Sequence, residues 1–184
     1  MKTILLGILT VLTLSACGRS DRSYPRAIAY PRPEIYDSTY RQLIGFPIEF
    51  YINSSAQEQA VSETSEASWW DVRYPAYNAT LHLSSVALRS GEEEAQLHSR
   101  IERMVMNCGG AAVSEEEFYS TDSAYRVLIF YEPGYTPTPV QFVALGNGRL
   151  TGGAFSFDDS SVTPDSVAPL LQSVVRDIRY SFLR

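Results

Sequence analysis

Histidine, cysteine and serine side chains are the first candidates for chemistry in this chain of 184 residues. The two histidines, His82 and His98, lie on different predicted elements, and neither has a second ligand at the spacing that zinc sites use. No serine lies in a nucleophile-elbow motif. The acidic run at 115–117 is typical of a solvated turn, since paired catalytic carboxylates have to face each other across a cleft. The sequence therefore predicts no metal, no cofactor and no catalytic residue.

One alternative keeps a chemical role for His82. A histidine that titrates beside a carboxylate, with Gln141 nearby, is the mark of general acid or base catalysis. A concave pocket lined by His82 and a carboxylate would favour a small-ligand-binding protein or a hydrolase. A flat or convex aromatic surface would favour a protein-binding module.

Cys17 is the residue with the clearest predicted chemistry. It closes the segment Leu14-Ser15-Ala16-Cys17, which follows Lys2 and a short apolar run. The run is too short to span a bilayer, and small residues before a cysteine are typical of lipoprotein signal peptides. We therefore expect residues 1–16 to be removed and the Cys17 thiol to carry the lipid, palmitate included, that anchors the protein.

Charge argues against nucleic-acid binding, and cysteine content argues against a disulfide within the chain. The formal net charge is −6, Lys2 is the only lysine, and the arginines are scattered singly, so the chain lacks the basic stripe of a nucleic-acid-binding protein. Once Cys17 is acylated only Cys108 remains, which excludes an intramolecular disulfide. Cys108 ends a predicted helix and is expected to be a small buried apolar residue.

The remaining chain divides into a tether and one domain. Residues 17–45 are rich in Pro, Arg and Tyr and predict an extended tether, although its tyrosines can dock on the body. Residues 46–184 predict a single globular domain. No second apolar segment is long enough to cross a membrane, so the lipid is the expected membrane attachment.

Hydrophobic periodicity predicts the elements of that domain. Short strands are expected at 49–52, 69–73, 79–84, 125–131, 140–145 and 150–157, with a weaker candidate at 111–114 or across Phe118-Tyr119. Residues 53–68 show no strong period and predict a long surface loop. Helices are expected at 92–108 and from Pro164 to the C-terminus; their apolar stripes are Leu97, Ile101, Met104, Val105 and Cys108, and Val167, Leu170, Leu171, Val174, Val175, Ile178 and Phe182.

These elements predict the α+β class. Consecutive strands with one inserted and one appended helix favour a single antiparallel sheet of about five to six strands covered by two helices. The turn residues Gly146-Asn147-Gly148 indicate a tight hairpin between the last two strands. Gly152 and Gly153 fall inside a strand, where glycine marks either a bulge or a close backbone approach.

Three sequence strings resemble a known family. The segment Trp70-Asp71-Val72-Arg73-Tyr74-Pro75-Ala76-Tyr77-Asn78-Ala79-Thr80-Leu81-His82-Leu83-Ser84 is similar to the signature of the gliding motility lipoprotein GldD family. Thr138-Pro139-Val140-Gln141-Phe142 and Gly153-Ala154-Phe155-Ser156-Phe157 follow in the order and spacing of that family, and Pro164-Asp165-Ser166-Val167-Ala168-Pro169 resembles its last helix start. The resemblance runs from about residue 30 to the C-terminus.

The resemblance implies what the residues alone do not. It implies a cell-envelope lipoprotein that is required for gliding motility and type IX protein secretion and acts with other envelope lipoproteins. It implies no known enzymatic activity, and it suggests a Mog1/PsbP-like body. A non-catalytic assembly or stabilising factor is therefore the expected function.

Aromatic and polar residues near the signature are the candidate partner-interaction patch, because aromatic side chains bury much area at interfaces. The patch is expected among Trp69, Trp70, Tyr77, Asn78, His82 and Gln141. For each residue the structural alternative stays open: the tryptophans in the core, Asn78 in a turn and Gln141 bonded to backbone.

Two further expectations concern the envelope. Ser38 and Ser123 lie in Asp-Ser segments that resemble O-glycosylation signals and fall in predicted loops. The residues after Cys17 carry no adjacent acids of the kind associated with surface export, which favours a periplasmic body.

Overall fold

The computed structural model describes residues 39–107, 114–131, 138–158 and 164–184. Their elements in chain order are β1 (Tyr40–Gln42), β2 (Tyr51–Asn53), β3 (Gln57–Glu63), β4 (Ala67–Tyr74), β5 (Ala79–Ala87), α1 (Glu93–Asn107), β6 (Ser114–Tyr119), β7 (Tyr125–Tyr131), β8 (Val140–Gly146), β9 (Arg149–Phe157) and α2 (Pro164–Leu183). Within this part of the chain, an antiparallel sheet and two helices confirm the predicted α+β class.

The described strands form one large sheet and one small one. Seven of them are hydrogen-bonded in the order β3-β4-β5-β9-β8-β7-β6, and β1 pairs with β2. Every pairing is antiparallel. The predicted five to six strands are therefore too few, and the likeness to a Mog1/PsbP-like body stays a prediction.

Strand β3 lies where the sequence predicts a surface loop, so that prediction is wrong. All seven of its side chains are exposed, and polar residues occupy both of its faces, which removes the alternation that marks a half-buried strand. The strand forms because its backbone pairs with β4, with a bulge at Val61 between the Ala60–Trp70 and Ser62–Trp69 pairs. Bulges are common on edge strands, where they disturb pairing with other chains.

The two helices cover opposite faces of the large sheet. On β7, Val127 and Ile129 belong to the larger apolar core, whereas Leu128 and Phe130 belong to a smaller one. Alternate residues of a strand point to opposite faces. The larger core contains the buried α2 residues Leu171, Val174, Val175, Ile178 and Phe182, which confirms that part of the predicted stripe.

Helix α1 covers the second face with a narrower contact. Its buried residues are Leu97 and Met104, while Ile101 and Val105 are partly buried, as the predicted stripe requires. Cys108 lies outside the described residues. The main contacts of α1 are with β8 and β9, toward one end of the large sheet, and β3, β4 and β5 lie toward the other end.

Residues that the sequence assigns to the tether are part of the folded body. Leu43 is buried, and its amide donates to the Phe50 carbonyl at 2.8 Å. The Tyr40 hydroxyl donates to Asp177 on α2 at 2.8 Å, and its ring stacks on Tyr180. The packed body therefore begins before residue 46, because Leu43 lies in the larger core and Tyr40 contacts α2.

Candidate functional site

One side of β4, β5 and β9 forms a polar surface that we call the open face: Trp69, Asp71, Arg73, His82, Ser84 and Ser156. The alternate residues of the same strands, such as Val72, Leu81 and Phe155, point into the larger core. On the open face Trp69 is 41% exposed, and His82 and Arg73 are also exposed. Hydrogen-bonding groups and an indole are thus presented together on a rigid sheet.

A continuous chain of hydrogen bonds crosses the open face. Asp71 and His82 are directly paired in the β4–β5 register, and Asp71 Oδ1 lies 2.7 Å from His82 Nδ1. On the other side of the ring, Nε2 lies 3.1 Å from Ser156 Oγ on β9. Cross-strand and diagonal neighbours are within this reach in antiparallel sheets. In the tautomer that carries its proton on Nδ1, this nitrogen donates to Asp71, and Nε2 accepts from the Ser156 hydroxyl.

This order of groups occurs in serine hydrolases, but the surroundings here are those of an open sheet. The His82 and Asp71 side chains are 52% and 40% exposed. Ser156 lies near the end of β9, where it pairs with Thr80 of β5, one residue beyond the last β8–β9 pair at Phe155. Acyl transfer depends on preorganised donors for the oxyanion in a site that excludes water. The geometry fits polar recognition better than catalysis.

A cleft of about 210 Å³ lies between α1 and the edge of the open face. Its polar lining includes Ser84, Gln96, Arg100 and Arg103, and Trp69 forms part of its wall. Arg100 reaches across Gly152, where an added Cβ would lie 3.4 Å from its Nη2 atom. His82 does not line this cleft.

The structure brings Trp69 and His82 together on the open face. Tyr77 and Asn78 lie instead in the turn that joins β4 to β5. Asn78 is exposed and left-handed (φ 46°), and caps the 3-10 turn Pro75–Tyr77. Tyr77 is partly buried against the larger core. The structural alternative for Asn78, a turn residue, is what the backbone shows.

Trp70 and Gln141 require a correction, because both are buried. Trp70 is on the opposite side of β4 from Trp69, and its ring lies in the larger core with Phe46. Gln141 is 3% exposed, and its Nε2 donates to the Met104 carbonyl of α1 at 3.3 Å. Neither residue offers surface to a partner.

Sequence reasoning missed Asp71, Ser156 and Arg100. Asp71 follows once the predicted strands at 69–73 and 79–84 are paired as a hairpin, since a turn between residues 74 and 79 sets it opposite His82. Ser156 required the β5–β9 pairing, which joins segments far apart in the chain. Arg100 lies on the polar flank of α1, where an arginine is ordinarily solvated.

Of the residues predicted to be modified, only Ser123 belongs to the described part of the chain. Cys17 and Ser38 lie outside the described residues. Ser123 is exposed in the turn between β6 and β7, with a positive φ of 57°. Its amide donates to the Ser120 carbonyl at 2.8 Å, and Asp122 accepts from the Ser120 hydroxyl and the Ala124 amide. The turn holds the Ser123 side chain on the surface.

The described residues contain neither a membrane-spanning helix nor a metal-binding cluster. None of the helices there is long and apolar enough to cross a membrane. Nor does that part of the chain bring three His, Cys, Asp or Glu side chains together as a metal-binding group.

Comparison with known proteins identifies the family. Comparison with curated proteins gives no significant match. The family model described as gliding motility lipoprotein GldD matches residues 20–182, which include the open face, the cleft and both helices. The chain therefore belongs to the gliding motility lipoprotein GldD family, and this membership implies a role in gliding motility and a membrane-anchored place in the cell envelope.

Proposed function

We propose that this protein is a non-catalytic assembly or stabilising factor for partner envelope lipoproteins in gliding motility and type IX protein secretion. The observation that carries the proposal is the open face. There the half-exposed Trp69 stands beside the hydrogen-bonded Asp71–His82 pair, at the edge of the part of the sheet that α1 covers. An aromatic anchor next to polar groups is typical of protein-binding surfaces.

The proposed lipid anchor would help the proposed binding surface to meet membrane-bound partners. A lipid on Cys17 confines the body to the membrane surface, and the part of the predicted tether at 17–45 that precedes β1 links the lipid to the body. Such confinement raises the effective concentration of one membrane-bound protein near another. A periplasmic body of the Mog1/PsbP-like kind, reached by other envelope lipoproteins, completes the proposal.

Site-specific photocrosslinking in gliding cells tests this function. A photoreactive amino acid at Trp69 is expected to capture an envelope lipoprotein, identified by mass spectrometry. The matched control is Tyr180, which is similarly exposed but belongs to α2 on the other face of the sheet. Equal capture from both positions, or none from Trp69, would contradict the proposal.

The Asp71–His82–Ser156 chain supports a second candidate, a hydrolase or small-ligand protein with its site around His82. In such an enzyme the Ser156 oxygen would attack the substrate while His82 took its proton. A fluorophosphonate probe tests this step, since attack by Ser156 forms an O–P bond and releases fluoride, with the proton passing to His82. Labelling that is lost in Ser156→Ala and His82→Ala would establish the enzyme, and an unlabelled wild type would exclude a serine hydrolase of this kind.

We also propose O-glycosylation at Ser38 and Ser123. The exposed turn at Ser123 supports the second position. Intact mass of the mature protein should exceed the lipidated mass, and the excess should fall in Ser123→Ala. A mass that the lipid alone explains would refute both positions.

A further inference from the structure

Arg100 is a partly buried arginine that has no acidic partner in the described part of the chain. No hydrogen bond or ion pair joins its guanidinium to another side chain in the described part of the chain. Elsewhere in that part, four arginines each contact a glutamate: Arg41 with Glu58, Arg126 with Glu117, Arg179 with Glu116, and Arg184 with Glu49. Arg100 thus has charge and five donor hydrogens available.

Because Arg100 is partly buried, the lack of an acidic partner destabilises the folded state. Burial, followed by the neighbouring charge of Arg103, lowers the pKa of the Arg100 guanidinium. A partly desolvated cation without a partner destabilises a fold, so stability alone does not account for its position. Strained or costly groups of this kind concentrate at binding sites.

Space for a ligand lies directly beside the guanidinium. The cleft that Arg100 lines has a volume of about 210 Å³, large enough for one side-chain-sized group. Gly152 leaves room for the guanidinium, because a Cβ added there would lie 3.4 Å from Nη2 and 3.6 Å from Nε of Arg100. The cleft is therefore shaped by a glycine and an arginine together.

The lining combines positive charge with apolar walls. Arg100 and Arg103 are the charged residues among those that line the cleft, Ser84 and Gln96 add hydrogen-bonding groups, and Trp69 and Leu150 add apolar surface. A guanidinium fork matches the two oxygens of a carboxylate, and an indole packs against a ring or a branched chain. We propose that this cleft binds a small organic carboxylate whose other end is aromatic or branched aliphatic.

Calorimetric titration of the mature lipidated protein in a non-ionic detergent tests the site, with benzoate as the probe. Wild type should bind benzoate saturably. Benzyl alcohol, which has the ring without the charge, and inorganic phosphate, which has the charge without the ring, should each bind at least about tenfold more weakly. Phosphate binding as tight as benzoate binding would overturn the proposed ligand class.

Variants locate the binding. Arg100→Gln should weaken benzoate binding by about tenfold or more, because a charge-assisted bidentate contact is lost. Arg100→Lys keeps the charge without the fork and should be intermediate. The control Arg176→Gln removes an exposed arginine from α2, on the other face of the sheet, and should bind as wild type does. Equal benzoate affinity in Arg100→Gln and wild type would overturn the site.

Tryptophan emission provides a readout that does not depend on an arginine variant folding well. Trp69 lines the cleft, whereas Trp70 is buried in the opposite core. Benzoate should change the emission of wild type, and the change should disappear in Trp69→Phe. A change that persists in Trp69→Phe would place the probe elsewhere. Crosslinking from Trp69 tests the partner surface separately, so failure of the cleft and failure of the proposed function are distinguishable.

Discussion

Gly153 shows how one missing atom determines the packing beneath the open face. A Cβ at Gly153 would lie 2.5 Å from Cε1 of Phe142 and 3.0 Å from Cδ2 of Leu83. The β5–β9 and β8–β9 registers run through this position without a shift. Of the two interpretations that the sequence allows for this glycine, the close approach is the one that the structure shows.

Gly153→Ala is therefore expected to overpack the larger core and to lower the free energy of unfolding by about 1–3 kcal/mol. Chemical denaturation of the purified protein measures the loss. Phe142→Leu removes the clashing ring atom, so the double variant should lose less than the two single variants together. Strict additivity would show that the ring does not cause the strain.

Asp177 is a second residue with a defined effect on stability, because it joins α2 to β1. Its carboxylate is largely buried on α2 and accepts from the Tyr40 hydroxyl of β1. Burial is the main cause that raises the pKa of Asp177, although the hydrogen bond from Tyr40 and the charge of Arg176 oppose the shift. The folded protein thus binds this proton more tightly than the unfolded chain does.

This raised pKa gives the β1–α2 contact a defined pH dependence. The stabilisation from Asp177 is fully present below its ordinary pKa of about 3.9 and is lost as the pH rises through the higher folded value. Asp177→Asn should remove that loss and keep the hydrogen bond from Tyr40. The difference in unfolding free energy between variant and wild type should accordingly grow from pH 4 upward and then level off.

Thermal or denaturant unfolding at several pH values measures this difference. Asp122→Asn is a suitable control of opposite sign, because the Ser120 hydroxyl and the Ala124 amide lower the pKa of Asp122. Wild type should lose the Asp122 contribution only as the pH falls through that lowered value. A pH-independent difference for Asp177→Asn would contradict the assigned cause.

At the scale of elements, the sequence predicts helices from their repeated apolar spacing and a hairpin from its turn residues. It does not predict a strand that forms only because its backbone pairs with a neighbour. Both helices carry apolar residues at helical spacing, and the described residues of their stripes are buried or partly buried. The hairpin between β8 and β9 is likewise predicted by its turn, since Asn147 and Gly148 both adopt positive φ. Strand β3 has no such signal, because its polar side chains are exposed on both faces and its stability comes from β4.

The candidate site belongs to the scale of the whole molecule, because its parts come from distant segments. Local pattern predicts strands at 69–73 and 79–84, which contain Trp69 and His82. It does not predict that β9 lies beside β5 and brings Ser156 to His82. Nor does it predict that α1 stops short of β4 and leaves a cleft with Arg100 beside Trp69.

Trp69 and Trp70 are adjacent in sequence but lie on opposite faces of the sheet. Substituting each of them therefore tests the binding surface and the stability of the fold separately. Trp70 is 8% exposed, whereas Trp69 is 41% exposed. Trp70→Ala should cost about 3–5 kcal/mol of unfolding free energy because it leaves a cavity in the larger core. Trp69→Ala should cost about 0.5 kcal/mol or less, as substitutions at exposed positions generally do.

In cells the same two variants should both impair gliding, but for different reasons. Trp70→Ala should lower the amount of protein, because a loss of several kcal/mol raises the unfolded fraction that proteases remove. Trp69→Ala should leave the amount of protein near that of wild type and still reduce colony spreading, because the open face loses its aromatic anchor. Immunoblots beside spreading assays distinguish the two effects. Normal spreading of Trp69→Ala at normal abundance would show that the open face is not the surface on which gliding depends.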